Sequence, residues 1–209
     1  MTQITKNILC FGDSNTWGLN PETGKRYDES TRWTMLLNQQ LGSEYKVIEA
    51  GQPNRTLVNN PPFMGDLNGI RYLKPYLEQH ALNTIVIALG TNDLKKRFNF
   101  APADIANGLT HLINSIKQFY LPINLPNLII IGPLFINPQR ALSHIYLNCE
   151  QKLLPLNDLF KGIAQEHALS YVDISQLTSP LGSDGIHLSC QGHKQLSKLL
   201  SRVVLQENQ

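Results

Sequence analysis

The sequence predicts one α/β domain over residues 1–209, built on a five-stranded parallel sheet with helices on both faces. Three observations predict it. Five short apolar runs recur along the chain, each rich in Ile, Val or Leu. Stretches of helical periodicity separate them. No shift of composition marks a second domain, and 209 residues suffice for one substantial core. Strand and helix alternating in this way give parallel sheets, whose strands are buried on both faces and read as continuous apolar runs.

The runs fall at residues 8–11, 45–48, 84–89, 128–131 and 169–174. Between the first and second, Trp33, Leu36, Leu37 and Leu41 share one helical face. A weaker helix is expected over 66–79, where Gly69 and Pro75 interrupt the pattern. Ile105, Leu109, Leu112, Ile113 and Ile116 follow the three–four spacing closely. Leu153, Leu156, Leu159, Phe160 and Ile163 do so again, with Pro155 predicting a late start or a kink. The last helix carries Leu196, Leu199, Leu200, Val203 and Val204, with Ser189 as its N-cap.

Composition narrows the partners. Eighteen Lys and Arg against sixteen Asp and Glu leave a formal charge of +2, unclustered apart from Lys95-Lys96-Arg97. That argues against nucleic acid and against an anionic membrane. The run 128–131 lies between Pro126 and Pro133 and is far too short to span a bilayer. Three cysteines, Cys10, Cys149 and Cys190, form no disulfide framework, and no leader-like stretch precedes the first run. A reducing, cytoplasmic setting is the expectation.

Ligands of parallel α/β sheets bind beyond the carboxyl ends of the strands, so chemical residues must follow strands. Here they do. Gly12-Asp13-Ser14-Asn15 follows the first run, Gly51 the second and Gly90-Thr91-Asn92-Asp93 the third, while Asp184-Gly185-Ile186-His187 ends a loop after the fifth. A serine hydroxyl needs a base within hydrogen-bond reach, and the base needs its second nitrogen fixed by an acid. Ser14 is the candidate nucleophile, His187 the base and Asp184 the acid, carried three residues apart on one loop. Asp173 is a second candidate acid and His193 a rival base, displaced into the last helix. Acyl transfer also needs donors aimed at an oxyanion. The backbone N–H groups of Ser14 and Gly51 and the side-chain amide of Asn92 are the candidates. Asp13, Trp17, Leu19, Asn54, Lys95 and Ile186 are candidate substrate contacts, with Phe98 and Phe100 as further aromatic ones.

Taken singly, each of these residues has a plainer reading as a cap, a turn or a core side chain. Their joint order carries the argument. Two other chemistries are disfavoured. His187, Cys190 and His193 sit three apart, but no second ligand cluster accompanies them, and no metal site is expected. Gly-rich phosphate loops are absent.

The four segments resemble the SGNH/GDSL hydrolase family, with Phe11-Gly12-Asp13-Ser14-Asn15 similar to its first block, Gly51 to its second, Gly90-Thr91-Asn92-Asp93 to its third and Asp184-Gly185-Ile186-His187-Leu188 to its fifth. Thr16-Trp17-Gly18, Arg32-Trp33, Val47-Ile48-Glu49, Arg55-Thr56, Leu67-Asn68-Gly69, the extension through Leu94-Lys95 and Asp104-Ile105-Ala106-Asn107-Gly108 resemble its arylesterase/acyltransferase branch. The resemblance implies a flavodoxin-like three-layer α/β/α sandwich and no cofactor. It implies a serine esterase acting on small short-chain acyl or aryl esters through an acyl-enzyme on Ser14, with transfer to alcohols in some members and homo-oligomers in others. Alternatives on the same fold are a carbohydrate O-deacetylase, a thioesterase or a non-catalytic binding module, the last disfavoured because no triad member is missing. Two departures stand out: Asn15 replaces the usual leucine, and Gln52-Pro53-Asn54 follows Gly51 where small residues are usual. The segments around Pro61-Pro62-Phe63 and over 135–146 are long connections that could shape the mouth or form subunit contacts.

Overall fold

A computed structural model describes residues 5–58, 70–137, 139–140 and 144–207. Five parallel strands run β1 (Lys6–Gly12), β2 (Tyr45–Gly51), β3 (Thr84–Ala88), β4 (Asn127–Ile131) and β5 (Ser170–Val172), in the spatial order β2-β1-β3-β4-β5. Each expected run is a strand. The third ends one residue before its apolar stretch does. The fifth is three residues shorter, because the Asp173 side chain accepts the Ser175 N–H and turns the chain into a 3-10 segment over Ile174–Gln176.

Alternation along the strands splits the core in two. Ile8, Cys10, Val86, Ile129 and Val172 face one way, onto α2 (Trp33–Leu41) and α6 (Cys190–Glu207). Leu9, Phe11, Ile85, Ile87, Leu128 and Ile130 face the other, onto α3 (Ile70–Gln79), α4 (Pro102–Phe119) and α5 (Glu150–Glu166). The result is a three-layer α/β/α sandwich. Chain order leaves β1 in opposite directions, to β2 on one side and to β3 on the other. The switch point between β1 and β3 is where a parallel sheet opens a crevice for ligand.

The helices follow the periodicity with two differences. Both α3 and α5 run on through a proline, Pro75 and Pro155. Burial of Leu73 and Leu77 on α3, and of Leu153, Leu156, Phe160 and Ala164 on α5, offsets one missing backbone donor in each. Leu159 falls off the buried face of α5 and is 39% exposed. Ser189 caps α6 as expected, its Oγ accepting the Gly192 N–H at 3.1 Å. A short helix the periodicity could not resolve, α1 (Ser14–Trp17), follows β1 directly. The expected start of α3 at 66–69, the Leu67-Asn68-Gly69 stretch and the Pro61-Pro62-Phe63 connection lie outside the described residues.

His193, the rival base, is fully buried between α6 and α2. Its Nδ1 accepts the Trp33 N–H at 3.2 Å, an orphan donor at the start of α2, and its ring meets Tyr27 edge-on. Burial first, then the charges of Arg32 and His187, hold its pKa down to about 4. A histidine kept neutral in the fold but free to charge in the unfolded chain stabilises fully above the ordinary histidine pKa of about 6.5. That stability is lost as pH falls from there towards about 4. The full linkage is worth roughly 3 kcal/mol. His193→Asn keeps an acceptor for Trp33 N–H and does not titrate in this range. Thermal melts at pH 7 and pH 4 are expected to show a markedly smaller acid loss in the variant. Equal losses in both proteins would remove His193 as the cause.

Candidate active site

Four loops meet at the carboxyl edge of the sheet, and Ser14 sits at the centre. Asp13 caps α1, its Oδ1 accepting the Asn15 N–H at 2.9 Å, which places Ser14 in the first turn directly beyond β1. Gly51, at the matching end of β2, lies so close that a Cβ there would overlap the backbone of Thr16 and Trp17. The glycine is therefore required by the approach of α1 itself, the helix that carries the serine.

Ser14 Oγ lies 2.9 Å from His187 Nε2, and His187 Nδ1 lies 2.6 Å from Asp184 Oδ2. The other Asp184 oxygen accepts the backbone N–H groups of Ile186 and His187, each at 2.9 Å. Burial pushes the Asp184 carboxyl up, but the hydrogen bonds from the His187 side chain and these two N–H groups outweigh it and hold the pKa below the usual carboxylate value. An ionised Asp184 requires the proton on Nδ1, which leaves Nε2 free to accept from the serine hydroxyl. Ser14 is only 7% exposed, and Asp184 and His187 are 13% exposed at their side chains. The three residues form a chain in which a proton can leave the serine oxygen.

Asn15 ties the two halves of this chain together. Its Oδ1 accepts the N–H of Leu188, the residue after His187, at 2.8 Å, and its own carbonyl accepts Trp33 Nε1–H at 3.1 Å. A leucine at this position could not make the first of these bonds. The departure from the usual motif thus installs a buried link between the turn of Ser14 and the loop of His187.

Asn92, in the 3-10 turn Asn92–Leu94 beyond β3, is 4% exposed. Its Nδ2 donates to the Arg55 carbonyl at 3.1 Å and to Asp13 Oδ2 at 3.3 Å, so it reaches the residue preceding Ser14. Arg55 pins the strand ends beneath the site. It donates to Gly12 O at 2.9 Å and also to Ala50 O, and it stacks on Phe11 at 4.1 Å. Asp93 points away from the site and accepts the N–H groups of Leu57 and Val58. Burial is the main cause that carries its carboxyl up to about 7.

The candidate substrate contacts divide. Asp13 is 3% exposed and fully engaged with Asn15 and Asn92, and burial raises its carboxyl above the usual range. Ile186 is 4% exposed and packs into the core with Ile136 and Leu153. Both are buried, because backbone capping and apolar packing take up their side chains. Trp17 and Leu19 are half-buried, Arg26 lying over the Trp17 ring at 5.7 Å and bridging Leu19. Lys95 Nζ donates to Asn54 Oδ1 at 2.6 Å across the rim, and Asn54 is held in the left-handed region at φ +66°. Burial, then the Arg97 charge, lowers the Lys95 pKa to about 8. Phe98 and Phe100 stack on one another with centroids 5.6 Å apart.

Sequence reasoning noticed Arg55 without its structural role, and missed Tyr146 and the link that Asn15 makes to Leu188. Tyr146 donates its hydroxyl to Asn92 Oδ1 at 3.2 Å. It lies 54 residues from Asn92, and no pattern in the chain links them. Asp173, the second candidate acid, is occupied with its own 3-10 cap. Among the described residues, no group of three or more His, Cys, Asp or Glu side chains is placed to hold a metal, and no helix is long and apolar enough to cross a membrane.

Comparison with known proteins agrees with this architecture. The GDSL-like lipase/acylhydrolase family matches residues 10–195. The native aryl esterase of M. smegmatis is 34% identical, with 97% of this chain and 99% of that one aligned at a TM-score of 0.86. Est24, a carbohydrate acetylesterase from Sinorhizobium meliloti, is 29% identical over 97% of this chain and 100% of that one, with a TM-score of 0.88. A putative arylesterase from Agrobacterium tumefaciens is 26% identical over 97% and 99%, with a TM-score of 0.84. No curated protein matched the chain.

Proposed function

The chain belongs to the GDSL-like lipase/acylhydrolase family and hydrolyses esters, and from that premise we propose that Ser14 is its nucleophile, His187 its base and Asp184 the acid that orients the base. The observation that carries the proposal is the unbroken hydrogen-bonded chain from Ser14 Oγ through His187 to Asp184. His187 Nε2 takes the serine proton as Oγ attacks the ester carbonyl. The imidazolium is stabilised by Asp184, then returns the proton to the leaving alkoxide or phenoxide. Water, activated by the same histidine, then hydrolyses the acyl group from Ser14.

The tetrahedral oxyanion is held by the N–H groups of Ser14 and Gly51 and by the Asn92 amide. Of the two bonds that Nδ2 makes, the longer one to Asp13 is the one an oxyanion would displace.

The substrate is a small ester with a short acyl group and an aryl or carbohydrate alcohol. The likeness to the M. smegmatis aryl esterase and to Est24 supports both alcohol classes. Lys95 and Asn54, with Trp17 and Leu19, are the rim residues for the alcohol side. The three unpaired cysteines support a reducing, cytoplasmic setting. The test is a panel of p-nitrophenyl acetate, butyrate and octanoate, peracetylated glucose and acetyl-CoA. The expected order puts acetate at least about tenfold above octanoate in kcat/KM, the scale on which a pocket discriminates by chain length. A preference for acetyl-CoA over every oxygen ester would replace this reading with a thioesterase.

A further inference from the structure

Asparagine is an ambiguous oxyanion donor, because its amide has a donating and an accepting end of nearly the same shape. Rotating Asn92 by half a turn about its last bond would aim a carbonyl oxygen, not an amide, at the developing negative charge. The structure holds three groups against Asn92 that bear on this. Arg55 O and Asp13 Oδ2 lie at 3.1 and 3.3 Å from Nδ2, and Tyr146 Oη lies at 3.2 Å from Oδ1. Arg55 O can only accept, so it favours the NH2 end. Asp13 also accepts, but it is the partner an oxyanion would replace. During the reaction the amide thus loses one of its two acceptors, and the hydroxyl on Oδ1 becomes the main restraint on its other end.

We infer that Tyr146 is a positioning residue for Asn92, acting through its hydroxyl to fix and polarise the amide that meets the oxyanion. The inference rests on the serine esterase reading above.

Three further observations support it. Tyr146 is 3% exposed, so water does not compete for Asn92 Oδ1. Burial raises the phenol well above its ordinary pKa, with the nearby carboxylates adding to the effect, so it remains a donor at every working pH. The segment that carries it is anchored to the Asn92 loop. Lys96 N–H donates to Ile145 O at 2.8 Å, and Lys95 Nζ lies over the Tyr146 ring at 6.0 Å. Tyr146 O in turn accepts the Cys149 N–H at 3.0 Å, at the foot of α5. The backbone that carries Tyr146 is therefore held from two sides. Donation to Oδ1 draws electron density from the amide and strengthens its N–H groups as donors.

The experiment is a double-mutant cycle on kcat for p-nitrophenyl acetate with Tyr146→Phe, Asn92→Ala and the pair, beside Ser14→Ala. Phenylalanine keeps the buried ring, and a thermal melt checks that each variant folds. Tyr146→Phe is expected to lower kcat about tenfold with KM changed less than about twofold, the scale of one buried hydrogen bond felt in the transition state. In the Asn92→Ala background the same change is expected to alter kcat less than about twofold. Affinity for phenylboronic acid, whose tetrahedral serine adduct is anionic, is expected to fall in Tyr146→Phe by the same factor as kcat.

A tenfold loss that persists without Asn92 would overturn the inference, as would an unchanged kcat. So would a loss of kcat with boronate affinity intact. Activity retained in Ser14→Ala would instead overturn the serine mechanism, leaving the two failures distinguishable.

Discussion

Ser14→Ala is expected to lower kcat for p-nitrophenyl acetate by at least about 10⁴-fold, His187→Ala to do nearly the same, and the double variant to do no worse than either alone. The reason is that the two groups act as one unit. A serine oxygen without a base keeps its proton, and a base without the serine has nothing to activate. Residual rate over water would come from the oxyanion donors and from binding. The structure also sets the cost to stability. Ser14 Oγ bonds to His187, while the backbone of the turn is held by Asp13, Asn15 and the tight approach of Gly51. Melting temperatures are expected to stay within a few degrees, the shift that about 1 kcal/mol produces in a chain of this size. Initial rates of the four proteins settle the matter: multiplicative losses, or a Ser14→Ala enzyme as fast as wild type, would take the nucleophile away from Ser14.

Asp184→Asn is expected to cost about 10⁴-fold in kcat, although the change is nearly isosteric. Asp184 uses one oxygen for the Ile186 and His187 backbone N–H groups and the other for His187 Nδ1. Asparagine can keep its oxygen on the backbone donors only by turning its NH2 towards Nδ1. Nδ1 must then accept, the ring proton moves to Nε2, and the nitrogen facing Ser14 becomes a donor that cannot act as base.

The pH dependence separates the roles. The wild-type carboxyl is held below its ordinary value, so its ionised form and the stability it brings are present above the usual carboxylate range, about 4. They are lost only as pH falls through that lowered value. No activity step between pH 5 and 9 should belong to Asp184, and the variant should remain slow throughout that range. A loss smaller than about tenfold, measured from kcat/KM between pH 5 and 9, would mean that another group orients His187.

Much of this was legible in the chain because the signals were local or periodic. Buried parallel strands announce themselves as apolar runs, so β1 to β4 could be placed to within a few residues. The proposed acid and base lie three residues apart on one loop, and the proposed nucleophile follows a strand with a glycine behind it. Arg32-Trp33 and Val47-Ile48-Glu49 stood out only as separate stretches resembling one branch of the family. Their physical link, a two-bond ion pair between Arg32 and Glu49 at 2.9 Å, appears only once α2 packs beside the edge strand β2. Proline overstated the breaks at Pro75 and Pro155, because tertiary burial along the rest of each helix outweighs one missing donor.

The burial of Asp13 and Ile186 was hidden for a related reason. A residue beside a reacting group in sequence can face it or face away, and only the caps and the core decide which. His193 looked like a base because of its type, yet packing against Trp33 makes it a neutral helix cap.

By itself, then, the sequence determined the alternation of strands and helices, the order of the four loops at one sheet edge and the candidate groups for proton transfer. These depend on composition, period and short spacing, which a linear chain records directly. Only the tertiary structure decided that Asn15 joins the turn of Ser14 to the loop of His187, that Arg55 locks the strand ends, and that Tyr146 reaches Asn92. Those contacts join residues from 43 to 173 positions apart and one side chain at a time. A hydrogen bond between such residues leaves no periodic trace, because its geometry exists only after both core layers have closed on the sheet.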